Sequence, residues 1–430
     1  MYIHVVQPGE TVQTIAESYG LSAERLIRDN ELPNPDNLVV GQTIVIVYPQ
    51  VTYTVQSGDT LESIAQAFQV DPIAILRNNP SLSEGDYLYE GETLVIEYET
   101  DKKTAISTNG YVYPFIDKTI LRKTLPFLTY LTVFSYRVTE EGKIAPIEDE
   151  ELIRTAKDYG VAPIMLVTVF SGRDEKGEEY SHFLLNNPEY HEQVIDNILE
   201  ILINKGYYGL NIDSQDVLWD DRQLYVDFVT KLAGRVREAG FQVFVTLTQN
   251  TFPYISGELY RGPEYAQLGT AANNVLLLSY EWGRTRRAPS ELPTMEEIRE
   301  ILDYVKGEIE PDKISIGIPC IGYDWELPYV KDVSQTQALS YDSVISLAVE
   351  AGAEIEYDEA LQAPFYYYET GGEENRTEHV VYFKDARSID YLVGLVPEYG
   401  FDGIGIWNIM SYFAQFWLVV NNQYEIDKVM

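Results

Sequence analysis

Asp213 and Gln215 stand two residues apart at the end of the apolar run Gly209-Leu210-Asn211-Ile212, and a strand's period of two sends both side chains to one face. An apolar run that ends in closely spaced polar groups is the pattern of a buried strand whose C-terminal end opens into an active site. At that place Gln215 supplies an amide, which donates a hydrogen bond but releases no proton at any relevant pH. Asp216 is carboxylic, yet its parity points it to the opposite face, so it serves as an acid only if the strand has already ended.

The elements that must position these groups follow from apolar patterning. After a polar linker, Glu99 to Thr104, apolar strands alternate with amphipathic helices to the end of the chain. Strands are expected at Ala105–Thr108, Thr129–Phe134, Ile164–Val169, Gly209–Asp213, Val243–Leu247, Val275–Tyr280, Ile314–Ile318 and Gly403–Trp407. Eight such strands define an α/β chain with a (β/α)8 TIM barrel over residues 105–430. Helical runs such as HEQVIDNILEILINKG, with apolar residues three and four apart and a glycine stop, would cover its outside. Between the seventh and eighth strands, Tyr323 to Arg387 contains a helical stretch, Tyr341–Ala351, and the strand-like pieces AEIEYD, PFYYYE and HVVYFKD. These predict a small α+β insertion raising one wall of the cleft.

The first hundred residues are a duplication. At an offset of 49 positions, Val6, Gln7, Gly9, Thr11, Ile15, Ala16 and Asn30 match Val55, Gln56, Gly58, Thr60, Ile64, Ala65 and Asn79. Each copy, residues 1–49 and 50–98, reads as a strand, two short helices and a closing strand. Thr11 and Thr60 occupy helix N-cap positions, and Gly9 and Gly58 supply the permissive turn before them.

Composition narrows the partners. With 31 basic and 68 acidic residues the net charge is −37, which disfavours nucleic acid and anionic membranes. The single cysteine, Cys320, excludes an internal disulfide, and its setting GIPCIG reads as a buried strand. The four histidines are scattered without metal-ligand spacing, so neither metal nor cofactor is expected. No window approaches the length of a membrane span, and the start MYIHVVQPGE lacks the basic and apolar blocks of a leader. The chain is read as a monomer.

Two resemblances add to this reading. Residues 3–48 and 52–97 resemble LysM modules, which bind N-acetylglucosamine-containing glycans such as peptidoglycan or chitin. The likeness implies a groove between the loop before the first helix (Gly9, Glu10, Thr11; Gly58, Asp59, Thr60, Leu61) and the loop after the second. Two such modules in one chain would gain avidity on a polymer. Gly209 to Gln215 with the preceding tyrosines resembles the DxxDxDxE strand of family-18 glycoside hydrolases. Tyr208 and Asn211 then stand at the first two acidic positions, Asp213 keeps the third, and Gln215 takes the place of the catalytic glutamate. LLLSYEWG is similar to the family's sixth strand, where Tyr280 would contact the substrate acetamide and Glu281 replaces an aspartate. GIGIWNIM is similar to its eighth, making Trp407 the aromatic floor. Nearly the whole chain is similar to the spore cortical-fragment-lytic and YaaH-type germination hydrolases.

This resemblance implies substrate-assisted chemistry, in which the sugar's own acetamide oxygen is the nucleophile. Asp213 would orient it and stabilise the oxazolinium, Tyr280 would hold it in line, and an acid at 215 would protonate the leaving oxygen. Asn211, Glu281, Trp407, Gly9, Thr11, Gly58, Asp59 and Thr60 would contact substrate. The substrate implied is peptidoglycan or cortex muropeptide fragments, cut by an N-acetylglucosaminidase in the spore coat and cortex region, the protein being made in the mother-cell cytosol without export. Gln215 leaves three readings open: an amide placed at a working acid position, a barrel that binds glycan without cutting, or activity through Asp216 or Glu281.

Overall fold

The computed structural model describes all residues except 85–87, 139–141, 169–179, 214–216, 218, 249–263, 279–287, 290–291, 331–332, 335 and 373–374. In the first N-terminal module, strand Tyr2–Val5 pairs antiparallel with Thr43–Ile46 around helices Val12–Tyr19 and Ala23–Asn30. The second repeats the plan with strands Pro49–Thr54 and Thr93–Tyr98 around helices Leu61–Phe68 and Pro72–Asn78. Each has its own apolar core, centred on Ile15, Leu26 and Ile44 in one and on Ile64, Ile75 and Leu94 in the other.

The matched residues of the duplication hold matched positions. Gly9 and Gly58 adopt φ of 82° and 89°, a conformation costly for any residue with a Cβ. Thr11 and Thr60 each cap their helix in a reciprocal capping box, with Thr14 and Ser63 respectively. The buried amides of Asn30 and Asn79 stitch the second helix to the closing strand. Asn30 donates to Leu26 O and Val45 O at 3.1 and 2.9 Å and accepts from Val45 N at 2.7 Å. Asn79 does the same with Ile75 O, Val95 O and Val95 N.

The barrel has eight parallel strands, Thr104–Val112, Tyr130–Arg137, Ala162–Thr168, Gly209–Asp213, Gln242–Thr248, Asn274–Leu278, Ile314–Pro319 and Gly403–Trp407. Each pairs with the next, and the eighth returns to the first through Gly403↔Ser107 to Ile406↔Gly110, closing the sheet. All eight expected strands are present, the first extending four residues beyond its expected end. Helices His191–Lys205, stopped by Gly206 at φ 69°, and Arg222–Glu238 bury Val194, Ile198, Leu202, Val229, Leu232 and Val236 against the barrel.

The insertion after the seventh strand is a five-stranded antiparallel sheet, ordered Thr336–Leu339, Gly322–Leu327, Thr377–Tyr382, Ala363–Thr370, Glu356–Asp358, with helix Tyr341–Ala351 packed on it. Two of these strands, Gly322–Leu327 and Thr336–Leu339, exceed the three expected pieces. Cys320 is buried, as its context implies.

The modules are fastened to the barrel. Glu99 N donates to Tyr48 O and Lys103 N to Gln423 O, each at 2.7 Å, so the polar linker is pinned at both ends. Buried Gln415 accepts from Thr43 Oγ1 and donates to Thr43 O, both at 2.7 Å, while Asn421 donates to Asn78 Oδ1 at 2.9 Å. Val39, Val45, Val47, Val95 and Tyr98 join the main apolar core. Replacing Gln415 by Ala strands the buried Thr43 carbonyl and hydroxyl at a cost of about 2 to 4 kcal/mol. The expected result is faster hydrogen exchange of the Thr43–Ile46 amides with barrel exchange unchanged; unaltered protection there would refute this account of docking.

Candidate active site

Parity along each strand decides what faces the barrel interior. On the fourth strand Leu210 and Ile212 pack outward in the main core, leaving Asn211 and Asp213 inside. Asn211 is fully buried, donates from Nδ2 to Tyr111 Oη at 2.8 Å, and accepts on Oδ1 from Thr246 at 3.1 Å. Thr132 donates to Asn109 Oδ1 at 2.7 Å in the same interior. One step nearer the mouth sits Asp213, 5% exposed, at the last position of its strand. Burial pushes the Tyr111 hydroxyl upward from the ordinary phenol range, and the Asp213 carboxylate adds to the rise, so Tyr111 stays protonated beside it.

Trp407 ends the eighth strand and remains partly exposed above this layer. Its ring lies 5.2 Å from Phe134, 5.8 Å from Tyr111 and 6.2 Å from Tyr113, a tilted and edge-on aromatic cluster at the C-terminal ends of the first, second and eighth strands. Leu166, Leu276 and Leu278 complete the apolar packing around it.

Asn211, expected among substrate contacts, has no exposed surface; its amide is spent on Tyr111 and Thr246, which places it as a strut beneath Asp213. Tyr208, at the family's first acidic position, sits at the other end of the strand with its ring 6.2 Å from Tyr130, far from the mouth. Gln215, with Ser214 and Asp216, and Tyr280 with Glu281, lie outside the described residues. Tyr111 was not among the sequence candidates; the signal was its position two residues past an inward Asn109 on a strand longer than expected. Among the described residues no group of His, Cys, Asp and Glu could hold a metal ion, and no helix is long and apolar enough to cross a membrane.

In the modules, Thr11 and Thr60 spend their hydroxyls on helix caps. Asp59 accepts from Gln56 N at 2.7 Å and Tyr53 Oη at 2.8 Å, and Glu10 is held equivalently by Gln7 N and His4. A cavity of about 470 Å³ opens beside Asp59, Thr60 and Leu61 and is bounded across by Leu82, Ser83 and Leu88, between the two loops where a groove is expected.

A closed barrel with a carboxylate and an aromatic floor at its C-terminal mouth, behind two small α/β modules, is the architecture of a carbohydrate-active enzyme. Residues 109–411 match the family described as Glycosyl hydrolases family 18, and residues 4–47 and 53–97 each match the LysM domain. The chain therefore belongs to family 18 of the glycosyl hydrolases and carries two LysM domains. It is 30% identical to the cortical fragment-lytic enzyme of Bacillus subtilis over 434 residues, covering 100% of this chain and 99% of that protein. The crystal structure of the spore cortex-lytic enzyme SleL of Bacillus megaterium is similar with a TM-score of 0.79 and 28% identity, covering 100% of this chain and 99% of the other. That of Bacillus cereus SleL gives 0.77 and 27%, covering 99% and 98%.

Replacing Asn211 by Leu keeps the volume but leaves Tyr111 and Thr246 without their shared partner inside the barrel. Stability should fall by about 1 to 3 kcal/mol. A drop of several degrees in the barrel's unfolding midpoint is expected by calorimetry; an unchanged midpoint would show that the interior hydrogen bonds carry no weight.

Proposed function

We propose that this protein is a spore-cortex peptidoglycan hydrolase of N-acetylglucosaminidase type, acting on cortex fragments during germination by substrate-assisted catalysis. The observation that carries the reading is the placement of Asp213, buried at the end of the fourth strand beside Tyr111, whose ring in turn lies 5.8 Å from that of Trp407. In this mechanism a sugar ring stacks on Trp407 while Asp213 accepts the acetamide N–H and turns its carbonyl oxygen toward C1. The oxygen attacks C1 as the glycosidic bond breaks, and the Asp213 carboxylate stabilises the positive oxazolinium that forms. Tyr280 would hold the acetamide in line. Water then opens the oxazolinium, and the leaving oxygen must gain a proton.

That last requirement is where Gln215 matters. Its amide has no proton to give, so the leaving group departs without general-acid assistance, a deficit of about two to four orders of magnitude. The full-length likeness to a cortical fragment-lytic enzyme supports cortex muropeptides as substrate and a place near the spore cortex. The amides or hydroxyl at positions 208, 211 and 215 of the family strand favour one second reading, a barrel that binds peptidoglycan and no longer cuts it.

Reducing-end release from cortex fragments, followed by mass spectrometry, separates the two. Gln215→Glu should raise the rate by about 100-fold or more, and adding Asp213→Ala should abolish the gain. Equal rates for the chain and its Gln215→Glu variant would assign the proton to another acid. Silence in both, with glycan still bound, would favour the binding reading.

A further inference from the structure

The cavity of the second module is not bounded by that module alone. Its wall is completed by Arg122, from the barrel helix Lys118–Thr124, and by Tyr159, the residue that ends the barrel helix Glu150–Asp158. The first of these helices packs directly on the turn Pro80–Glu84, which follows the second helix of the module. The groove is thus shaped jointly by module and barrel, and its form depends on the docking described above.

Three features of the lining point to an occupant. Ser83 is 5% exposed, yet its hydroxyl has no hydrogen-bond partner among the described residues. A buried hydroxyl left unpaired is costly, so a ligand with hydrogen-bonding groups is favoured there. Leu61, Leu76, Leu82 and Leu88 provide an apolar surface for a sugar face. Arg122 is exposed and, among the described residues, pairs with no carboxylate, although its charge reaches Glu151. The lining also carries two carboxylates, Asp59 and Glu62; Asp59 is held by Gln56 N and Tyr53, and Arg122, on the wall contributed by the barrel, is the group there that would pair with an anionic substituent.

We propose that the second LysM groove is a composite site in which Arg122 and Tyr159 of the barrel meet the glycan, selecting a carboxylate-bearing N-acetylhexosamine chain over a neutral one. Ser83 hydrogen-bonds the sugar from the groove floor, and Arg122 takes the carboxylate of a lactyl or peptide substituent. The inference rests on the module's glycan-binding role and adds to it a specificity element from outside the module. Arg122 and Tyr159 lie near the barrel end where the strands begin, so a glycan held there is anchored away from the mouth at Asp213 and Trp407.

The test is co-sedimentation of the full chain with insoluble peptidoglycan and with chitin, comparing Arg122→Glu with Arg154→Glu, the same charge change at an exposed position of the neighbouring helix. Without the charge-assisted hydrogen bond from the guanidinium, Arg122→Glu should be retained about tenfold more weakly on peptidoglycan, with chitin retention unchanged. Arg154→Glu should behave as the parent chain. Equal retention of both variants on peptidoglycan overturns the composite site while leaving the module's glycan binding intact. Failure of the parent chain to bind either polymer overturns the glycan-binding reading itself, and the composite site with it.

Discussion

Pairing of the eighth barrel strand with the first closes the sheet and so gives the chain a single interior on which the remaining structure depends. The register Gly403↔Ser107 to Ile406↔Gly110 closes a sheet begun some three hundred residues earlier, and a slip of one residue would turn the inner face of the slipped strand outward. Closure crowds the interior, which explains Gly405: a Cβ there would lie 2.4 Å from Leu276 Cδ1. Near the strand starts, Asp402 accepts from Ser107, from Asn274 at 3.0 Å and from Ser315 at 3.4 Å, tying the first, sixth and seventh strands together. Burial raises the Asp402 carboxyl above its usual range, with those hydrogen bonds acting against the rise. Above it comes the polar layer of Asn109, Thr132, Asn211 and Thr246, and above that the mouth.

The mouth therefore inherits its geometry from the buried layers beneath it. Asp213 sits where it does because Asn211, two residues earlier, is locked across the barrel to the first strand through Tyr111 and to the neighbouring fifth strand through Thr246. Trp407 takes its pose from Phe134, Tyr111 and Tyr113. Under the proposed mechanism, binding and orientation fall to the barrel layers and proton transfer to position 215, so one could be lost without the other. The same economy holds for the modules, whose helix caps and asparagine stitches are complete within each copy, leaving the docked face and the groove for interaction.

Much of this was legible in the amino-acid sequence, for identifiable reasons. The fourth strand could be read because apolar Leu210 and Ile212 alternate with polar Asn211 and Asp213, and the LysM copies because the matched glycines, threonines and asparagines recur at one spacing. The end of the first strand was hidden by Asn109-Gly110, a pair that normally marks a turn. Here Asn109 is buried and hydrogen-bonded to Thr132, so the strand runs on and delivers Tyr111 to the site. The strand Thr336–Leu339 has no apolar alternation and forms only because Gly322–Leu327 supplies an edge. The linker looked loose because its partners, Tyr48 and Gln423, are distant in the chain. Local pattern also gave no sign that Arg122 and Tyr159 would border a groove of another module.

The central claim is that the barrel mouth, with Asp213 and Trp407 as its working surfaces, is where an N-acetylhexosamine ring is held for reaction. A crystal structure of the chain with a muropeptide oligosaccharide tests this most directly. The account predicts a sugar ring stacked on Trp407 with its acetamide nitrogen within hydrogen-bond distance of Asp213. Sugar density confined to the LysM grooves, with the mouth empty at saturating ligand, would contradict it.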